Sequence, residues 1–292
     1  MTACFGGGDD PSPTPTPTPT GTPTPTPSPT ATPTPVAFDF SQAFTDTASG
    51  ASYIYAYFTP TSGGGEVWSD GSRRDGTSTI TYAPSPESAA FTWPDTATLK
   101  TFGAADRQAA TATTRSYRNG TNALLLERPF QHVLMASYEK QDAFTQGTTT
   151  GTLRSTRVTI FFNEVTTTSA ISTDLTYSGT ARVAGGKPGT TPPGAFTAEL
   201  STFTVAASDK KISGTIRIFE NVNGTATLRA VLPISATVGT NNAFSGNIDD
   251  TANGFKGTYG GILAGPSREE IIIIFNVAHT DGRELIGSLI GD

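Results

Sequence analysis

Three positions hold all of the chain's thiol and imidazole chemistry: Cys4, His132 and His279. One cysteine and two histidines fall short of the four nitrogen or sulfur ligands of a structural zinc site, and no haem-attachment motif is present. A His-dependent nucleophilic triad would have to use His132 or His279. Neither is accompanied by a G-x-S-x-G, H-E-x-x-H, phosphate-loop or G-x-G-x-x-G segment. Carboxylates occur as the adjacent pairs Asp249-Asp250 and Glu269-Glu270. Adjacent side chains on a strand point to opposite faces, so neither pair makes an acid/base dyad by itself. What this inventory leaves open is axial ligation of a haem by His132 or by His279, which lies in the turn-like "AHTDG". The alternative at His279 is a polar turn residue. The expected function is therefore not catalytic: no catalytic residue, no metal ligand and no cofactor other than that haem is assigned.

The elements that would position these residues follow from composition. From Val36 onward Thr, Ser, Gly, Ala, Phe and Ile dominate while Lys and Glu are sparse, the profile of an all-β protein rich in turns. Between Leu175 and the end, short alternating segments succeed one another, separated by Gly, Pro, Asn and Asp turns. Leu175–Val183, Phe196–Val205, "KISGTIRIF", "TATLRAVLPISATV", "AFSGNID", "GFKGTYGGIL", "EEIIIIFNVA" and "ELIGSLIG" read as eight strands. Several place large residues and glycine on one face: Phe244, Gly246 and Ile248, then Phe255, Gly257, Tyr259, Gly261 and Leu263. That alternation suits the tapered interior of a small closed barrel, so an eight-stranded antiparallel up-and-down barrel is expected over 172–292. Ile271–Phe275 is apolar on both faces, which predicts that its outer face is covered by another part of the protein or takes a protein partner. The segment 37–171 is less regular; "SYIYAYFT", "STITYAP", "NALLLERP", "HVLMASYEK" and "RSTRVTIFFNEV" predict a smaller β-rich domain packed on that isoleucine strand.

Residues 1–36 have no place in either core. Eleven of the chain's 21 prolines fall between Pro11 and Pro35, and proline both fixes φ and lacks a backbone donor. The expectation is a disordered, polyproline-like spacer with a reach of about 80 Å. Ahead of it, Thr2-Ala3-Cys4 resembles the end of a bacterial lipobox, whose cysteine is acylated after signal cleavage. The charged and apolar parts of a signal peptide are not seen before it, so either the start codon was assigned too far downstream or the signal has been left out. Several acyl chains give lasting attachment, so Cys4 is the expected outer-membrane anchor, and Phe5 after it fits export by resemblance to Gram-negative lipoproteins. A net charge of −6, with no basic cluster larger than a pair such as Arg73-Arg74, argues against nucleic acid. No apolar stretch is long enough to span a bilayer as a helix.

The closing segment resembles the transferrin-binding-protein B-like surface lipoproteins, at Phe255, Gly257, Tyr259, Gly260, Gly265, Pro266, Glu269, Glu270, Phe275, Gly282 and Gly287. "DLTYSGTARVAGG", with Tyr177 and Gly179, resembles the opening strand of the same barrel, and Thr101–Gly120 an N-terminal segment of single-lobe members. Members of the family often have Gly or a second aromatic residue where this chain has Gly260-Gly261, and often a proline before the first strand, where this chain departs with Ser172-Thr173. The resemblance implies a handle domain paired with an eight-stranded barrel, those barrel positions being structural. It also implies a surface-displayed lipoprotein that captures a host protein or haem, or works beside a TonB-dependent receptor. A structural or adhesive envelope lipoprotein without a small-molecule ligand is the other expectation.

Overall fold

A computed structural model describes residues 37–96, 99–192 and 194–292. Cys4 and the Pro/Thr segment lie outside them. The described chain is all-β, with no α-helix among the described residues.

Eleven strands come from the first half: β1 (Phe44–Ser49), β2 (Ser52–Pro60), β3 (Val67–Arg74), β4 (Thr77–Pro84), β5 (Glu87–Thr92), β6 (Phe102–Gly103), β7 (Arg107–Ala110), β8 (Thr114–Asn119), β9 (Asn122–Glu127), β10 (Val133–Gln146) and β11 (Thr149–Phe162). They form two antiparallel sheets, in the orders β1-β4-β5-β6 and β3-β2-β11-β10-β9-β8-β7. Three buried hydroxyls link these sheets. Ser52 Oγ lies 2.7 Å from Thr159 Oγ1 and 3.2 Å from Ser78 Oγ. Each hydroxyl both donates and accepts, so the trio is satisfied without water.

Ten strands come from the second half: β12 (Leu175–Thr180), β13 (Arg182–Gly186), β14 (Ala195–Ala198), β15 (Leu200–Val205), β16 (Lys211–Val222), β17 (Thr225–Thr237), β18 (Ala243–Asp250), β19 (Phe255–Ala264), β20 (Glu270–His279) and β21 (Glu284–Gly291). All belong to one antiparallel sheet. Two of the eight strands expected from sequence are divided. A break at Ala181 separates β12 from β13, and Glu199, whose N–H donates to Arg217 O, separates β14 from β15. A bulge also interrupts β16/β17 between Ile218 and Phe219. It leaves Arg229 out of the ladder, so Ala226 lies exposed while Ala230 and Leu232 stay buried. A strict two-residue alternation would have put all three on one face.

This sheet curls until β17 and β18 lie side by side. No backbone ladder joins them; side chains close the seam. Val231 N–H donates to Asp250 Oδ2 at 2.6 Å, and Ser235 N–H donates to the Tyr259 hydroxyl at 3.0 Å. Tyr259 reaches β17 by passing over Gly246 of β18, where a Cβ would fall 2.6 Å from the phenol oxygen. The glycine–aromatic alternation thus lets a ring from one strand cross its neighbour. Gly214 under Phe203 and Gly261 under Phe244 repeat the device.

The isoleucine strand sits between two cores. Ile271, Ile273 and Phe275 point into the curl, beside Phe203, Phe255 and Leu289. Ile272 and Ile274 point outward into a second core with Phe161, Leu134 and Trp68 of the first-half sheets. All five side chains are buried, so the outer face is covered from within the chain. Burying one isoleucine stabilises by about 1.5–3 kcal/mol, which makes this junction a main adhesive between the two halves.

Candidate functional site

The adjacent carboxylates diverge as strand geometry requires. Asp249 is exposed and pairs with Lys256 at 3.4 Å, whereas Asp250 is buried in the seam. Glu269 is exposed and Glu270 is buried.

Glu270 lies at the junction with His132. Its Oε1 accepts the backbone N–H groups of Gln131 and His132, each at 2.8 Å, while Oε2 is buried without a partner. Burial pushes the carboxyl above its usual range, and the two N–H groups oppose that shift in part. The folded chain therefore holds this proton better than the unfolded chain does. The group's contribution to stability grows as pH falls through the range just above 4.5 and declines as pH rises. The His132 ring fills the same corner. Its Nδ1 lies 3.0 Å from Asn163 Oδ1, and its Cδ2 packs against Gly265, whose φ of +83° suits glycine. Pro266 O accepts the N–H groups of Thr166 and Thr167, fastening the connecting segment to the β19–β20 turn.

His279 ends β20, far along the strand from this junction. Its Nδ1 lies 2.7 Å from Asp281 Oδ1 and 3.0 Å from Asp281 N, and its ring packs on Phe255 at 5.0 Å between centroids. A Cβ on Gly254 would fall 2.7 Å from Nε2. The two imidazoles thus occupy separate corners. Among the remaining motif positions, Tyr177 donates its hydroxyl proton to Arg268 O at 2.8 Å, and Gly179, Gly257 and Gly287 press against carbonyl oxygens of neighbouring strands.

The arrangement with most capacity for recognition lies elsewhere. Strand β2 projects Tyr53, Tyr55 and Tyr57 on one face, and Trp68 of β3 joins them. Tyr55 stacks on Trp68 at 6.4 Å and 14°, and Tyr57 meets it edge-on at 5.2 Å. Trp68 is fixed from the second half: its indole N–H donates to Glu284 Oε2 at 3.2 Å, and Gly186 leaves room for its Cβ. Arg154 of β11 covers Tyr57, 4.9 Å from ring centroid to guanidinium carbon, and forks onto Glu66 at 2.8 and 2.6 Å. Those hydrogen bonds to Glu66 above all hold the guanidinium charged, against the effect of burial. Tyr55, Tyr57, Glu66 and Arg154, together with Val183, Thr191 and Pro192, line a wide cleft of about 470 Å³, with Trp68 buried behind the two rings. Tyrosine faces, a planar guanidinium and an acidic neighbour can stack on, and hydrogen-bond to, a docked surface. The sequence signal was available, since three tyrosines at alternate positions must share a face, but Arg154 and Trp68 join them only through the fold.

No family model and no curated protein matches this sequence. Solved structures do match. Transferrin-binding protein B, isotype 1, from serogroup B Neisseria meningitidis is 13% identical, with a TM-score of 0.42, over 82% of this chain and 42% of that one. A mutant of the vaccine antigen transferrin-binding protein B from Haemophilus parasuis Hp5 is 11% identical, with a TM-score of 0.43, over 86% of this chain and 61% of that one. Kievitone hydratase from Nectria haematococca matches at 9% identity and a TM-score of 0.21. The chain thus spans less than two thirds of the transferrin-binding protein B structures it matches. Transferrin-binding protein B structures are what this all-β chain is similar to over most of its length.

Proposed function

We propose that this chain is a non-enzymatic binding module on the outer surface of a Gram-negative envelope. In this reading an acylated Cys4 holds it to the outer membrane, the Pro/Thr segment sets the stand-off distance, and the β-rich body meets a protein partner. The cleft of Tyr55, Tyr57, Glu66 and Arg154 carries the reading. Tyrosine and arginine are among the side chains that dominate protein-binding energy, and here Tyr55, Tyr57 and Arg154 line the cleft while the buried Trp68 packs against the two rings. The partner class is a host or environmental protein such as transferrin. Iron or haem acquisition beside a TonB-dependent receptor would be the physiological setting.

Protease applied to intact cells is expected to digest the body, and Cys4→Ser to shift the chain from the membrane to the soluble fraction. Survival until the outer membrane is broken would exclude surface display. Continued membrane association of the Cys4→Ser chain would exclude the anchor.

A further inference from the structure

A smaller cavity, of about 200 Å³, opens at the junction between the two halves. Its walls are Phe162, Phe244, Ile262, Ile272 and Ile274, and the one charged residue lining it is Arg73 of β3. The guanidinium lies against Gly260: a Cβ there would fall 2.9 Å from Nη2 and 3.5 Å from Cζ. Absence of a side chain at 260 is therefore what admits Arg73 to the cavity. Its neighbour Arg74 meets Asp95 at 3.2 Å and Arg154 meets Glu66 at 2.6 Å, whereas Arg73 has no ion pair and no side-chain hydrogen bond among the described residues. Arginine stays charged at any physiological pH and offers five donors in a planar fork that matches a carboxylate.

Apolar walls and one cation with unused donors specify a ligand of matching polarity. A single positive charge suits a monoanion, and the volume suits a short aliphatic tail rather than a peptide. We propose that this cavity binds a medium-chain aliphatic monocarboxylate, its carboxylate forked on Arg73 and its tail against Ile262, Ile272 and Ile274. The site is independent of the cleft, the anchor and any protein partner.

Octanoate and its methyl ester, titrated into the full chain and followed by isoleucine methyl NMR, test this. Octanoate should bind at least about tenfold more tightly than the ester, because only the acid makes the charge-assisted fork. The Ile272 and Ile274 methyl signals should move. Arg73→Gln should remove the preference, and Gly260→Leu, which fills the space, should abolish binding. Equal binding of acid and ester by the unaltered chain would overturn the proposal, whether or not the variants fold. So would unmoved Ile272 and Ile274 signals at millimolar octanoate, or an acid preference that persists in Arg73→Gln.

Discussion

Replacing Ile274 by Asp is expected to destabilise the folded body by about 3–5 kcal/mol, the cost of losing a buried isoleucine side chain and setting a polar group among apolar neighbours. The side chain is 3% exposed and points away from the interior of the curled sheet, into the core shared with the first-half strands. Were that outer face solvated, the same change would cost within about 0.5 kcal/mol. Urea unfolding distinguishes the two outcomes. Both tryptophans, Trp68 and Trp93, belong to the first half and are buried, so their fluorescence reports there on a change made in β20. Coincident fluorescence and far-UV dichroism transitions, both shifted by Ile274→Asp, are the expected result. Ile274→Val, which removes one methylene, should cost about 1 kcal/mol.

Asp250→Ala should cost about 2–4 kcal/mol by leaving several donors without an acceptor. The carboxylate takes Val231 N–H at 2.6 Å and both the backbone and side-chain nitrogens of Asn253. Since no backbone ladder joins β17 to β18, that acceptor cannot be replaced locally. Amide hydrogen exchange should show the loss as a local event: Val231 becomes fast, while amides of the β19–β20 ladder keep their protection. Asp250→Asn retains one acceptor oxygen and should cost about half as much. Uniform loss of protection would mean that the seam is not a separate element.

How much of this could be read from the residues depended on burial pattern. The run Ile271–Phe275 announced two buried faces, because an alternating strand with one wet face cannot be apolar throughout, and Ile272 and Ile274 do meet the first-half sheets. The glycine–aromatic alternation announced a tapered interior, and Gly246 under Tyr259 shows why. Bulges were not legible: nothing in "TATLRAVL" marks Arg229 as the residue left out of register. Nor was β3, whose sequence "VWSDGSRR" has neither alternation nor an apolar run. That strand supplies Trp68, which packs behind the cleft tyrosines, and Arg73, which lines the smaller cavity, so the smaller cavity and the backing of the cleft stayed hidden with it. Its place is set by pairing to β2 and by contacts that Trp68 makes with Glu284 and Gly186, more than a hundred residues away.

The measurement that bears most directly on the binding-module account is photo-crosslinking on intact cells, with benzoylphenylalanine placed at Tyr55 inside the cleft and, as control, at Thr227 on the exposed end of β17. Purified transferrin is one bait and the native extracellular milieu the other. The account predicts a discrete protein adduct at position 55 that weakens when Arg154 is changed to Ala, and none at 227. Adducts of equal yield at both positions, or none at 55 from either source, would contradict it.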